Sequence, residues 1–287
     1  MTGLFVDLHV HSFYSDGSMS PDEIVKAALK NNVGLLAIAD HDLIEGSLSI
    51  RELCKANGIM YIPAVEIDSF ENGKNYHILA YGFDVHDKEF CDFLGHTRFL
   101  LDESGVKLIE AMQSDYRNVS LTDYMNFSYD IHLGGWKALH YFVERGLVSS
   151  LKDGIRFYPF YNIIYDKSGY SSISSIVYRI KKAGGFSVLA HPGELIDADD
   201  INAFYAELHR IMSCGLDGIE CYYPSHPDAV TKVCIDYCDE KRLLITAGSD
   251  CHGLFGKTQV GEMNITKDKL MLGKLMENTI YGSVCQK

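Results

Sequence analysis

Two histidines stand two residues apart near the start of the chain, in VDLHVHSFYSDG, with Asp16 and Gly17 close behind. Residues i and i+2 of a strand share a face. His9 and His11 therefore present two imidazoles in one direction. Such a pair either holds a metal ion or simply ends a strand with polar side chains, and the rest of the chain separates the two readings. Later apolar runs end in the same chemistry: His41 in ADHD, Glu66 in AVEID, His77 in YHILAYG, His191 in AHPGE, and Asp250 with His252 in GSDCHG. Nitrogen and carboxylate donors without thiolate suit zinc, manganese or iron. A lone strand-end histidine is usually structural, but candidates from almost every strand-end loop, all on one face, point to bound metal.

The elements that must position these residues alternate. LFVDLHV, GLLAIADHD, IMYIPAVEI, FSVLAHPGE, LDGIECYYP and LLITAGSDCHG read as strands. SPDEIVKAALKNN reads as a helix, with Ser20 as N-cap, Pro21 at the first helical position and Glu23 completing a capping box. GSLSIRELCKANG, SISSIVYRIKKAGG, DDINAFYAELHRIMSCG and PDAVTKVCIDYCDEKR are further helices, and a last one is expected over roughly 267–281. Such alternation implies parallel strands joined by crossovers, with a site at the strand C-termini. One step differs. The stretch from Glu66 to His77 is too short for a crossover helix and contains Asn72-Gly73, a strong hairpin signal. NYHILAYGF is therefore expected to run antiparallel, placing His77 at its start beside Glu66 at the previous strand's end.

Between 91 and 170 the alternation stops. FCDFLGHTRFLLDESGVKLIEAMQ and GGWKALHYFVERGLVSSLKD read as helices. The expected organisation is a barrel built from 1–90 and 171–287, with 91–170 inserted as a helical cap over its mouth. A net charge of −13 disfavours duplex nucleic acid and anionic membrane surfaces as partners. A small anionic substrate remains open, because bound cations reverse the local field. The eight cysteines contain no C-x-x-C pair; Cys234 and Cys238 share a helix face as small buried residues. Without a leader or an apolar spanning run, a reduced cytoplasmic location and no obligate protein partner are expected.

The pieces DLHVHSFYSDG, ADHD, AVEID, YHILAYG, AHPGE, IECYYPSHP and GSDCHG, in this order, resemble the PHP (polymerase and histidinol phosphatase) family of metal-dependent phosphoesterases. The resemblance implies a distorted (β/α)7 TIM-like barrel with a trinuclear centre of up to three divalent ions (Zn, Mn or Fe). It assigns His9, His11, Glu66 and Asp250 to one ion. Glu66 bridges to a second ion shared with His77 and His191, and Asp16, His41 and His252 hold a third. The implied reaction is attack of a metal-bridging hydroxide on a small phosphorylated substrate: a nucleotide, a nucleoside bisphosphate or an oligonucleotide 5′ end. The alternatives are a histidinol-phosphate phosphatase, a metal-dependent amidohydrolase, or a non-catalytic PHP module of the kind attached to DNA polymerases.

His226, in YYPSHP, is the candidate substrate contact or leaving-group acid, or else caps the next helix. Asp40 is a candidate catalytic carboxylate, or with Asp42 it orients the imidazole between them. Similar proteins carry an arginine-rich helix at the start of the cap, whereas RFLLDESGVKLIEAM holds only Arg98 and Lys107 as cations. Lys137 and Arg156 are the candidate phosphate-binding residues of the cap. Trp136 either stacks on substrate or fills the cap's own core. Cys251, between two ligands, is turned away from the metals by strand alternation.

Overall fold

The computed structural model describes residues 4–163 and 169–278, and among these eight strands form two sheets. The first sheet is parallel and holds β1 (Phe5–Val10), β2 (Val33–Ile38) and β3 (Met60–Tyr61) in that order. Every residue of β2, VGLLAI, is buried, as expected of a parallel strand covered on both faces. The second sheet holds β4 (Ala64–Glu71), β5 (Lys74–Tyr81), β6 (Phe186–Leu189), β7 (Gly218–Tyr222) and β8 (Leu244–Ala247). β5 runs antiparallel to both neighbours, and the pairs β6–β7 and β7–β8 are parallel.

The hairpin is present, with a longer first arm than expected. β4 continues past Glu66 to Glu71, and Asn72 and Gly73 make the turn at φ 49° and 83°. Glu66 thus stands third in its strand rather than last. His77 pairs with Asp68, so Glu66, Asp68 and His77 share one face.

Among the described residues the two sheets do not form one closed ladder. They meet through isolated bridges, Val10 with Cys251 and His41 with Glu66. Supporting bonds run from His11 N–H to Cys251 O (3.0 Å) and from Asp42 N–H to Glu66 O (2.8 Å). The reasons are local. Pro63 splits IMYIPAVEI into β3 and β4, because it has no N–H for a ladder. Asp42 and Asp250 adopt left-handed φ of 56° and 49°, which ends regular pairing beside them.

Helix α1 (Pro21–Lys30) carries the complete capping box. The expected second helix is two, α2 (Glu45–Ser49) and α3 (Arg51–Asn57), broken at Ile50 and closed by Gly58. Then come α4 (Lys88–Met112), α5 (Leu121–Asn126), α6 (Lys137–Glu144), α7 (Leu151–Gly154) and α8 (Phe157–Phe160). α9 (Ile173–Lys182), α10 (Pro192–Leu195), α11 (Ile201–Met212) and α12 (Asp228–Lys241) resume the alternation with strands. α4 crosses the expected boundary at 90/91. Its Phe90, Phe93 and Leu94 pack into the core under β4–β8, whereas Leu108, Ile109 and Met112 join a separate core with Tyr141, Phe142 and Phe157. The last expected helix is replaced by 3-10 turns at Lys267–Lys269 and Gly273–Asn278, interrupted by Gly273 at φ 47°; residues 279–281 lie outside the described residues. No helix among the described residues is long and apolar enough to cross a membrane.

Candidate metal centre

β1 carries His9, and His11 follows directly on its last residue; both are fully buried, with their Nε2 atoms 3.1 Å apart. Each lies 3.2 Å from Glu66 Oε2, and His41 Nε2 lies 3.4 Å from the same oxygen. Asp250 Oδ1 stands 3.1 Å from His11 Nε2 and 3.5 Å from His9 Nε2. The other oxygen of Glu66 faces His77 Nδ1 and His191 Nε2, each at 2.9 Å. Asp16 Oδ1 lies 3.5 Å from His11 Nδ1 and 3.3 Å from His252 Nε2. All the residues expected as ligands therefore meet in one cluster. Three groups each offer donor atoms within 4.8 Å of one another: His9, His11, Glu66 and Asp250; His11, Asp16, His41 and His252; and His41, Glu66 and His77. The first matches the expected grouping. The second adds His11, and the third has His41 where His191 was expected.

This donor set fits cations. The Nδ1–H of His9 donates to Glu220 at 3.1 Å, which aims Nε2 at Glu66 and His11 and leaves that nitrogen as the one an ion would take by displacing its proton. His41 Nδ1 is buried without a hydrogen-bond partner. Burial pulls the His11 imidazole down, yet its bonds to Asp250 and Glu66 and the charge of Asp16 outweigh this and push its pKa up to about 10. For His41 burial dominates, and its pKa falls to about 4. Burial raises Glu66 and Asp250, but the surrounding imidazoles outweigh it and hold both well below the usual carboxylate range. Without ions the cluster balances its charge with imidazolium; divalent cations would provide the same balance.

Supporting residues complete the site. Glu220, fully buried on β7, also accepts the backbone N–H of His191 at 2.9 Å, which holds that residue at φ 25°. Its signal in the sequence was a carboxylate inside the buried run GIECY. Asp68 lies 3.3 Å from His77 Nε2 and accepts from Asn75 at 2.9 Å; two residues after Glu66, it shares that residue's face. Gly248 lets β8 pass the site, since a Cβ there would lie 2.2 Å from His9 Cβ and 2.3 Å from Glu220 Oε1.

The residues expected to act on substrate are placed differently from one another. Both oxygens of Asp40 are engaged away from the donor cluster: Oδ1 accepts from Ser12 N–H (2.7 Å) and Ser15 Oγ (2.6 Å), and Oδ2 from Ser12 Oγ (2.6 Å). It secures the turn that carries Asp16. Asp42 accepts from Asp68 N–H at 3.2 Å, next to the cluster. His226 has both nitrogens engaged, Nδ1–H donating to Cys221 O (3.1 Å) and Nε2 accepting from Gly193 N–H (3.0 Å), which staples two loops together and leaves no nitrogen for a leaving group. Cys251 packs behind β1 and α1, as alternation required.

Beside the cluster lies a cavity of about 710 Å³, lined by Asp16, Arg98, Tyr129, Trp136, Lys137 and Phe255 among others. Lys137 Nζ sits 4.8 Å from the Tyr124 ring centroid, on the cavity wall. Arg156 is exposed, lies over Phe157 at 5.5 Å and is not among the lining residues. Trp136 packs against the core that Leu108, Tyr141 and Phe142 share, and its ring lies 5.7 Å from that of His41. Arg98, weighed only as a deficit of positive charge, lies over Trp136 at 5.2 Å, with Nη1 donating to His41 O at 3.5 Å.

Comparison with known proteins gives a family and several relatives. The PHP domain family matches residues 7–221. A phosphoribosyl 1,2-cyclic phosphate 1,2-diphosphodiesterase of Eggerthella lenta is 29% identical over 266 residues, covering 88% of this chain and 95% of its own. A 3′,5′-nucleoside bisphosphate phosphatase of Chromobacterium violaceum is 25% identical over 267 residues, covering 86% and 87%. A solved structure from Bifidobacterium adolescentis, provisionally described as a metal-dependent phosphoesterase, superimposes with a TM-score of 0.77 at 22% identity over 99% of both chains, a likeness of fold. The chain belongs to the PHP domain family. It is an enzyme, a metal-dependent hydrolase of phosphoric esters.

Proposed function

We propose that this enzyme hydrolyses a phosphoester of a nucleotide-sized substrate: a nucleotide, a nucleoside bisphosphate or a short oligonucleotide 5′ end. In this reading the two sheets act as a distorted barrel, residues 91–170 cap it, and His9, His11, Asp16, His41, Glu66, His77, His191, Asp250 and His252 hold up to three divalent ions. The observation that carries the reading is the cluster itself, where nitrogens of His9, His11 and His41 lie within 3.4 Å of Glu66 and Asp250 lies within 3.5 Å of His9 and His11, beside a cavity of about 710 Å³. That volume falls in the range of small-molecule sites.

Divalent ions bound there supply Lewis acidity toward phosphoryl oxygens and acidify water into a nucleophile. The chain's own residues do the rest. Glu66 spreads its two oxygens between two sets of imidazoles and so fixes their spacing. Glu220 and Asp68 orient His9 and His77. Arg98 and Lys137 offer N–H groups to substrate oxygens turned away from the cluster. Trp136, Tyr129 and Phe255 provide flat apolar walls on which a base or sugar rests and which exclude water.

The test is phosphate release and product mass for the manganese-loaded protein against a panel. It holds nucleoside mono- and bisphosphates, a ribosyl cyclic phosphate, a short 5′-phosphorylated RNA and histidinol phosphate. Turnover of a nucleotide class is expected. Turnover of histidinol phosphate alone, or silence on every phosphoester by protein with ions bound, overturns the substrate reading.

A further inference from the structure

The three donor groups are supported from different sides. His9 is held by Glu220, Asp250 by the Tyr223 hydroxyl (2.8 Å), and His77 by Asp68 and Asn75, all within or next to the second sheet. Asp16, His41 and His252 are braced from the cap. The main-chain oxygen of Asp16 accepts the N–H of Gly135 at 2.7 Å. Gly134 and Gly135, at φ 69° and 77°, approach so closely that a Cβ on the first would lie 2.9 Å from Asp16 O, and one on the second 2.9 Å from the Phe255 ring.

Phe255 follows His252 by three residues and packs against the cap core. The loop bearing both is tied back by Leu254 N–H donating to Ser18 Oγ at 2.8 Å. His41 meets the cap through Trp136 and Arg98. Within the cap, the His140 Nε2–H donates to Gly134 O at 2.7 Å and its ring stacks on Tyr129 at 4.3 Å, so the glycine turn is itself held rigid.

We infer that Gly135 and Phe255 are positioning residues for the ion group His11–Asp16–His41–His252, so that occupancy of this one position and seating of the cap are thermodynamically linked. The inference rests on the three-ion reading above. Linkage is reciprocal: whatever seats the cap tightens this ion, and this ion seats the cap by the same factor. Substrate entering the cavity between them would act on both, making this the position whose ion exchanges as the cap moves.

The experiment counts metal per chain by mass spectrometry after desalting and follows backbone hydrogen exchange of residues 127–140. Wild-type protein is expected to hold three ions. Phe255→Ala and Gly135→Ala are expected to retain two with unchanged far-UV circular dichroism, the third bound at least about tenfold more weakly. Phe255→Leu, which refills much of the contact, restores it, and Phe160→Ala, altering an exposed cap residue, retains three. Conversely, Asp16→Ala speeds exchange across 131–136 while leaving β5 protected. Three ions bound to Phe255→Ala with wild-type affinity, or uniform loss of all ions from a folded variant, overturns the inference alone. Fewer than three ions in the wild-type protein overturns the three-ion reading and the inference with it.

Discussion

Glu220 reaches two ligands at once, accepting from Nδ1–H of His9 and from the backbone N–H of His191. Glu220→Gln keeps the size but replaces a carboxylate with an amide, which weakens the bias of His9 toward the tautomer that frees Nε2. Metal affinity should fall about 10- to 100-fold, measured by competition with a chelator; unchanged affinity would remove Glu220 from the support of the site. His226 argues in the opposite direction. With both nitrogens engaged, His226→Ala should lower the melting temperature while kcat changes less than about tenfold and its pH profile keeps its shape. Loss of the alkaline limb would restore an acid role. Although Glu66 and His77 stand inside their strands and Asp16 in a turn, most of the residues expected as ligands were legible in the sequence because a polar residue at the end of an apolar run is conspicuous. Glu220 and Arg98 were not. A glutamate within a strand gains meaning only from what lies opposite, and a count of cations on α4 cannot reveal which one faces the cavity.

At the scale of elements, punctuation decided what could be read. Asn72-Gly73 announced the hairpin, and Ser20, Pro21 and Glu23 announced α1, because turn and cap chemistry is local. Pro63 carried a legible warning against one continuous strand, and Gly273 against one final helix. The division of α4 between two cores was not legible, since one amphipathic helix gives the same periodicity against either partner. The close approach of β8 to His9 yields a further prediction. Gly248→Ala places a methyl 2.2 Å from His9 Cβ, so strands must separate. A loss of about 1–3 kcal/mol is expected, read by thermal denaturation, together with reduced metal content. A variant with wild-type stability and metal content would show that the approach tolerates a side chain.

For the whole molecule, charge governs the response to pH and to ions. The chain carries −13 overall, yet its centre without ions holds protons on imidazoles. The pKa of His11 is about 10 in the folded ion-free protein, against 6.5 for a free imidazole. That difference stabilises the ion-free fold below pH 6.5 and is lost as the pH rises through about 10. Divalent ions must displace the same protons, so their binding tightens over that window. The melting-temperature gap between loaded and chelated protein should widen from pH 7 to pH 9, with protons released on loading as measured by calorimetry in buffers of different ionisation enthalpy. A gap independent of pH, with no proton release, would show that the imidazoles are neutral beforehand.

The missing ladder between the two sheets has a mechanical consequence. His9 belongs to the first sheet and His11 follows directly on its first strand, Glu66 and His77 belong to the second, and among the described residues backbone pairing between the sheets is confined to isolated bridges. Ions spanning these residues would work as rivets through a lap joint, bearing the shear that hydrogen bonds carry in a seamless shell. The stiffness of the joint would then be set by the supply of dissolved cation.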